Sequence, residues 1–226
     1  MQYLEDITPF LGTGQKNEAG QTLEEFLERY DPKKYDCPSN TVDIAVFRRV
    51  SAAGGSGLQL LMIRRRNHPN IGYWALPGGF VEIRENLEDA AARELMEETG
   101  VTGISLKQHG AWGDYDRDPR WRVITALYFT ILTEDVPVRA GDDAADARWF
   151  DVTYEEVPEG ENSSRLSLRL QDVGSDLLLE AEARCVEEGD GPLRTYTLTQ
   201  TTSNLIAGDH GMMILDLLRY IRSFSS

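Results

Sequence analysis

Gly79-Phe80-Val81-Glu82-Ile83-Arg84-Glu85-Asn86-Leu87-Glu88-Asp89-Ala90-Ala91-Ala92-Arg93-Glu94-Leu95-Met96-Glu97-Glu98-Thr99-Gly100-Val101 is the stretch that decides how this chain folds. From Leu87 to Thr99 it holds neither glycine nor proline, and good helix formers predominate, which predicts a helix. Asn86 stands where an N-cap belongs, and Gly100 where a helix stops. On that helix Glu94, Glu97 and Glu98 fall at i, i+3 and i+4, so three carboxylates share one face within an arc of roughly 100°. Leu95, Ala92 and Met96 are expected to turn mostly the other way, toward a core. Like charges at this spacing repel by roughly 0.2–0.5 kcal/mol per exposed pair, and a divalent cation reverses the sign. An oxygen-only set, without His or Cys, suits Mg²⁺ or Mn²⁺ rather than Zn²⁺.

The spacing Gly-x5-Glu-x7-Arg-Glu-Leu-x-Glu-Glu-x-Gly-Val resembles the complete signature of Nudix hydrolases at every defined position, and the resemblance runs from about Thr41 to Val157. It implies an α/β fold, a Nudix-type α/β/α sandwich with a mixed sheet, in which the motif forms a loop–helix–loop. The motif would bind divalent metal on a nucleoside diphosphate linked to another moiety. Glu94 and Glu98 are then the principal metal ligands, Glu97 a further ligand, and the Gly79 carbonyl an additional oxygen. Arg93 would orient Glu94 through a charge-assisted bond, compatible with an i,i+4 pair to Glu97. Glu85 and Gly100 support the motif at its two ends. A pyrophosphate resists attack because its oxygens are anionic; a metal neutralises them, stabilises the leaving phosphate and acidifies a bound water. For the carboxylate that takes the proton, Glu94 and Glu97 rank ahead of Asp142, Asp143 and Asp146 in a later loop.

The flanks resemble the ADP-ribose pyrophosphatase-like branch: Arg64-Arg65-Arg66-Asn67-His68-Pro69, then Trp74 to Glu82, and later Asp116-Arg117-Asp118-Pro119-Arg120. The expected reaction is hydrolysis of ADP-ribose to AMP and ribose 5-phosphate. Arg64, Arg65, Arg66, Asp116, Arg117 and Arg120 are the expected substrate-binding residues, the arginines supplying cations in an acidic chain. Trp112, Tyr115 and Trp121 can stack on adenine or fill a core. His68, His109 and His210 have no triad or metal spacing and read as structural. Two alternatives stand beside this reading. One is a non-catalytic ADP-ribose sensor regulating NAD metabolism, since some relatives with the Arg-Asp-Pro-Arg pattern are transcriptional regulators with a degenerate motif and a winged helix. The motif here is intact, and residues 157–226 contain no basic recognition helix. The other is a house-cleaning pyrophosphatase of nucleoside triphosphates.

Around this centre, Thr22 is placed to cap a helix over Leu23–Arg29, within an N-terminal helix and extended arm over residues 1–40. The core expected over 41–157 opens with strands Thr41–Val50 and Leu58–Arg65, joined by a Gly-rich turn that lacks the Lys-Ser/Thr of a phosphate-binding loop. Strands are also expected at Trp121–Leu132 and Ala147–Phe150. Residues 158–226 read as a small antiparallel β appendage, Leu166–Leu170, Leu177–Val186 and Leu193–Gln200, then a helix over Asp209–Phe224. Three such strands bury little by themselves, so a homodimer, or packing on the core, is expected. Acidic residues outnumber basic ones, 38 to 23, for a net charge of −15, which argues against nucleic acid as a partner. Two cysteines, no long apolar run and no leader pattern point to a cytoplasmic protein with no membrane partner. A small nucleotide is the expected partner.

Overall fold

Val42 to Phe47 is apolar on both parities except at Asp43, the pattern of a strand covered on two faces. It forms the middle of β1 (Ser39–Ala52), inside a ten-stranded mixed sheet. The structure is a computed structural model describing residues 3–52, 55–134, 136–141, 144–190 and 195–224. It divides into two units, Met1–Cys37 and Pro38–Ser226. The first contains a short 3-10 helix at Thr8–Phe10 and α1 (Leu23–Arg29), closed at its start by a capping box between Thr22 and Glu25.

The second unit holds β2 (Gly55–Arg65), β3 (Trp74–Ala75), β4 (Gly78–Phe80), α2 (Leu87–Thr99), β5 (Lys107–Trp112), β6 (Val123–Leu132), β7 (Ala144–Pro158), β8 (Ser163–Asp172), β9 (Leu178–Glu188), β10 (Thr195–Asn204) and α3 (His210–Arg222). The strands run in the order β10-β9-β8-β7-β2-β1-β6-β5, with β3 on β2 and β4 on β1. Only the β1–β6 pair is parallel among these pairings.

Alternation along β1 sorts the two faces. Val42, Ile44 and Val46 pack with Ala90, Ala91 and Leu95 of α2. Ala45 and Phe47 face the opposite layer, where Met213, Ile214, Leu217 and Leu218 of α3 are buried against Leu60, Met62 and Phe150. Leu166, Leu168 and Leu170 of β8, expected in an appendage, lie under α3 in that same cluster. Asp216 of α3 accepts from Tyr196 Oη of β10 and from His109 Nε2 of β5 at 2.8 Å. Both ends of the sheet thus reach one helical residue, because the sheet curls around α3.

Several strands differ from expectation. β7 spans fifteen residues rather than four, since its polar second half gains pairing from β8 along nine registered positions. β5 carries no apolar alternation and exists through its pairing with β6. Ala53, Gly54 and Leu193, assigned to turn and strand from sequence, lie outside the described residues. No helix among the described residues is long and apolar enough to cross a membrane.

Candidate active site

The register between β1 and β4 sets Gly79 opposite Val42 and Gly78 opposite Asp43. A Cβ on Gly78 would fall 2.1 Å from the Val42 carbonyl oxygen, and one on Gly79 would fall 2.5 Å from the Glu94 carboxylate. These two glycines therefore let the β4 backbone lie against β1 on one side and receive the carboxylates of α2 on the other. The Gly78 N–H donates to Glu98 Oε2 at 2.8 Å. At its far end α2 stops where expected: Gly100 adopts φ 73° and its N–H bonds the Met96 carbonyl at 2.9 Å. Asn86 occupies the N-cap without capping the backbone, its amide donating instead to Asp89 Oδ2 at 2.9 Å.

Leu95 faces the core as expected, but Ala92 and Met96 are exposed, Met96 at 44%. The buried face is made by Ala90, Ala91, Leu95, Glu98 and Thr99 instead, so a carboxylate sits on the core side of the helix. The three glutamates consequently have different surroundings. Glu98 is 8% exposed, Glu94 lines the cleft, and the Glu97 side chain is 51% exposed. Arg93 links them. Its Nε and Nη2 bond the Glu85 carboxylate at 2.8 and 2.9 Å, Nη2 also bonds the Phe80 carbonyl, and Nη1 reaches Glu94 at 2.8 Å and Glu97 at 3.1 Å.

The charges respond. The Arg93 guanidinium, then the Glu82 backbone N–H, hold Glu85 down to about 2. Burial raises Glu94 despite its bond from Arg93. Burial, outweighing the Gly78 N–H and reinforced by Glu94 and Asp43, pushes Glu98 up to about 8. A cation between Glu94 and Glu98 would reverse this penalty. Among the described residues no three His, Cys, Asp or Glu side chains converge to enclose a metal. Two carboxylates with backbone, water and substrate oxygens completing the set is the way Mg²⁺ is ordinarily held, so the donors fit a hard ion.

A cleft of about 330 Å³ opens over this pair, within the range of small-molecule sites. Of the expected substrate residues, Arg65, Arg66, Arg117 and Arg120 line it. Arg64 and Asp116 do not; both are exposed, Arg64 because strand alternation turns it away from its neighbour Arg65. Arg120 is bidentate to Asp118 at 2.7 and 3.0 Å, and its guanidinium lies 5.2 Å from the ring centre of Phe80. Arg117 is bidentate to Asp209 at 2.8 and 3.0 Å. Arg65 donates to a neutral acceptor, the Pro69 carbonyl at 2.8 Å, and its charge acts on the Glu98 carboxylate across the cleft. Trp112, Tyr115 and Trp121 do not line the cleft; Trp112 packs on the core, and the other two are exposed. Asp146 is engaged by Arg148, while Asp142 and Asp143 lie outside the described residues.

Residues not singled out from sequence also meet here. Asp43 is buried, accepts from Thr125 Oγ1 at 2.7 Å and lies 3.9 Å from both Arg117 and His210. His210, expected to be structural, does fix the backbone, its Nδ1 accepting from the Leu76 N–H at 3.1 Å, and it lines the cleft as well. A lone acid in the apolar run Val42–Phe47 was a visible signal for Asp43. Nothing local marks Asp209, which lies 92 residues from its partner.

Residues 40–170 match the family model described as NUDIX domain. The chain is 36% identical over 161 residues to an ADPR responsive transcriptional repressor, NtrR, of Acinetobacter baylyi, covering 70% of this chain and 59% of that protein. It is 43% identical over 94 residues to an ADP-ribose pyrophosphatase of Methanocaldococcus jannaschii, covering 42% and 55% respectively. The chain thus spans between half and two thirds of these curated relatives. Among solved structures, a MutT/nudix family protein from Enterococcus faecalis superposes with a TM-score of 0.64 at 29% identity, over 90% of this chain and 70% of that one. The NUDIX domain of Shewanella oneidensis NrtR, complexed with ADP ribose, superposes with a TM-score of 0.51 at 31% identity, over 57% and 82%.

Proposed function

This chain belongs to the NUDIX domain family, and from that premise we propose that it is a Mg²⁺- or Mn²⁺-dependent pyrophosphohydrolase of nucleoside diphosphate sugars, with ADP-ribose as substrate. The observation that carries the reading is the meeting of Glu94 and Glu98 with Gly78-Gly79 under an arginine-lined cleft. The ADP-ribose pyrophosphatase among its relatives, and the ADP ribose in a structural neighbour, support the choice of substrate.

In this reading Glu94 and Glu98 hold the cation, with the Gly79 carbonyl as a further oxygen. The ion, when bound, neutralises pyrophosphate oxygens and acidifies water. Arg93 keeps Glu94 turned into the cleft, and Glu85 keeps Arg93 in place. Arg65 meets a phosphate. Glu94 is the cleft carboxylate assigned to take the proton of the attacking water, since Glu97 points to solvent. Water adds to one phosphorus, the bridging oxygen leaves with the other, and the products are AMP and ribose 5-phosphate. Comparing kcat/KM for ADP-ribose and for a panel of nucleoside triphosphates tests this. ADP-ribose is expected to lead, and a tenfold advantage for any triphosphate overturns the substrate assignment.

The long match to a repressor favours a second reading, ADP-ribose sensing without turnover. Tight ADP-ribose binding with no product in Mg²⁺ or Mn²⁺ is the result that selects it.

A further inference from the structure

We propose that Asp209, at the junction into α3, is a positioning and specificity residue: by neutralising Arg117 it makes one end of the cleft accept a hydroxylated sugar and reject an additional phosphate. This rests on the reading of the cleft as a nucleotide-sugar site.

The Arg117 side chain is 8% exposed, and Nε and Nη2 are both committed to the Asp209 carboxylate. Asp43 stands 3.9 Å from the same guanidinium. The fourth member, His210, accepts the Leu76 N–H at Nδ1, which leaves its proton on Nε2, facing Asp43 Oδ1 at 3.9 Å. Two carboxylates, one guanidinium and an uncharged imidazole sum to a net negative charge. Such a cluster repels phosphate. It accepts hydrogen bonds from hydroxyl groups, and Asp209, 23% exposed at its side chain, is the more accessible half of the pair. Arg65, whose guanidinium bonds a neutral carbonyl rather than forming a bidentate carboxylate pair, leaves phosphate binding to another part of the cleft.

Asp209 is also held in place. The Trp74 N–H bonds the Leu205 carbonyl at 2.9 Å and the Ala207 N–H bonds the Trp74 carbonyl at 2.8 Å, stitching the approach to α3 onto the strand that leads into Pro77-Gly78-Gly79. All of this segment lies beyond residues 40–170 matched by the family model, so selectivity here is set by a part of the chain outside that match.

The test compares ADP-ribose with ATP, by kcat/KM in saturating Mg²⁺ and by calorimetric Kd in Ca²⁺, for wild type, Asp209→Asn and Asp209→Glu. Asp209→Asn is expected to lower the ADP-ribose to ATP preference at least tenfold, through KM and Kd rather than kcat, with Asp209→Glu recovering most of it. An unchanged preference, or equal losses for both ligands accompanied by a lower Tm, overturns the proposal. A wild type that prefers ATP sinks the substrate reading instead, while the shift in preference between variants still decides the role of Asp209.

Discussion

Glu98 carries the largest electrostatic penalty in the cleft, and its sign is testable. Its carboxyl, ordinarily near 4.5, is pushed up to about 8 by burial. Between those pH values the native chain holds a proton that the unfolded chain has released, so stability falls as pH rises through that interval and levels off once the native carboxyl has ionised. Glu98→Gln is uncharged at every pH and still accepts the Gly78 N–H. In chelator, its Tm should exceed that of wild type by a few degrees at pH 8.5 and match it near pH 4, at about 2–4 °C per kcal/mol. Parallel curves of Tm against pH would show that burial does not act on this carboxylate. The neighbouring glycines make a second comparison. Gly78→Ala forces a Cβ onto a backbone carbonyl and should cost about 2 kcal/mol or more. At Gly79→Ala the three atoms nearest the new Cβ are the end of the Glu94 side chain, which can swing aside, so the fold should survive while turnover drops. Equal losses of Tm in the two variants would contradict that distinction. At this scale the motif was legible because its residues are close in sequence, and Arg93 does bond Glu85, Glu94 and Glu97. Asp209 was not legible, since only the three-dimensional path of the chain brings it to Arg117.

The elements were legible where a local pattern suffices. Thr22 with Glu25, and the run Leu87 to Gly100, specify α1 and α2 because caps and helical spacing lie within a few residues. β5 has no such pattern: it contains Gly110, shifts register between Gln108 and Gly110, and takes its form from β6. α3 matters more than an amphipathic terminal helix need, because it fills the trough of the curled sheet with eight buried residues. Leu217→Ala, at a fully buried position, should therefore cost about 2–5 kcal/mol in urea or thermal unfolding. A loss below roughly 1 kcal/mol, the range of ordinary surface changes, would mean that α3 is not part of the core.

Over the whole molecule, the charge of −15 opposes polyanions at long range, whereas the cleft gathers arginines for a small one. The resemblance to a repressor then separates into two properties. Duplex DNA should not bind this chain at 0.1 M salt up to micromolar protein, and a salt-sensitive shift in an electrophoretic or anisotropy assay would contradict the charge argument. The small-molecule chemistry has a sharper test, because Glu98 is proposed to hold, together with Glu94, the cation that enables hydrolysis. Initial rates of AMP release from ADP-ribose, measured at saturating Mg²⁺ for wild type and for Glu98→Gln, examine that role directly. Wild type is expected to form AMP steadily and to stop in chelator, and the folded variant to be slower by at least about a hundredfold. Wild-type turnover by Glu98→Gln would contradict that role.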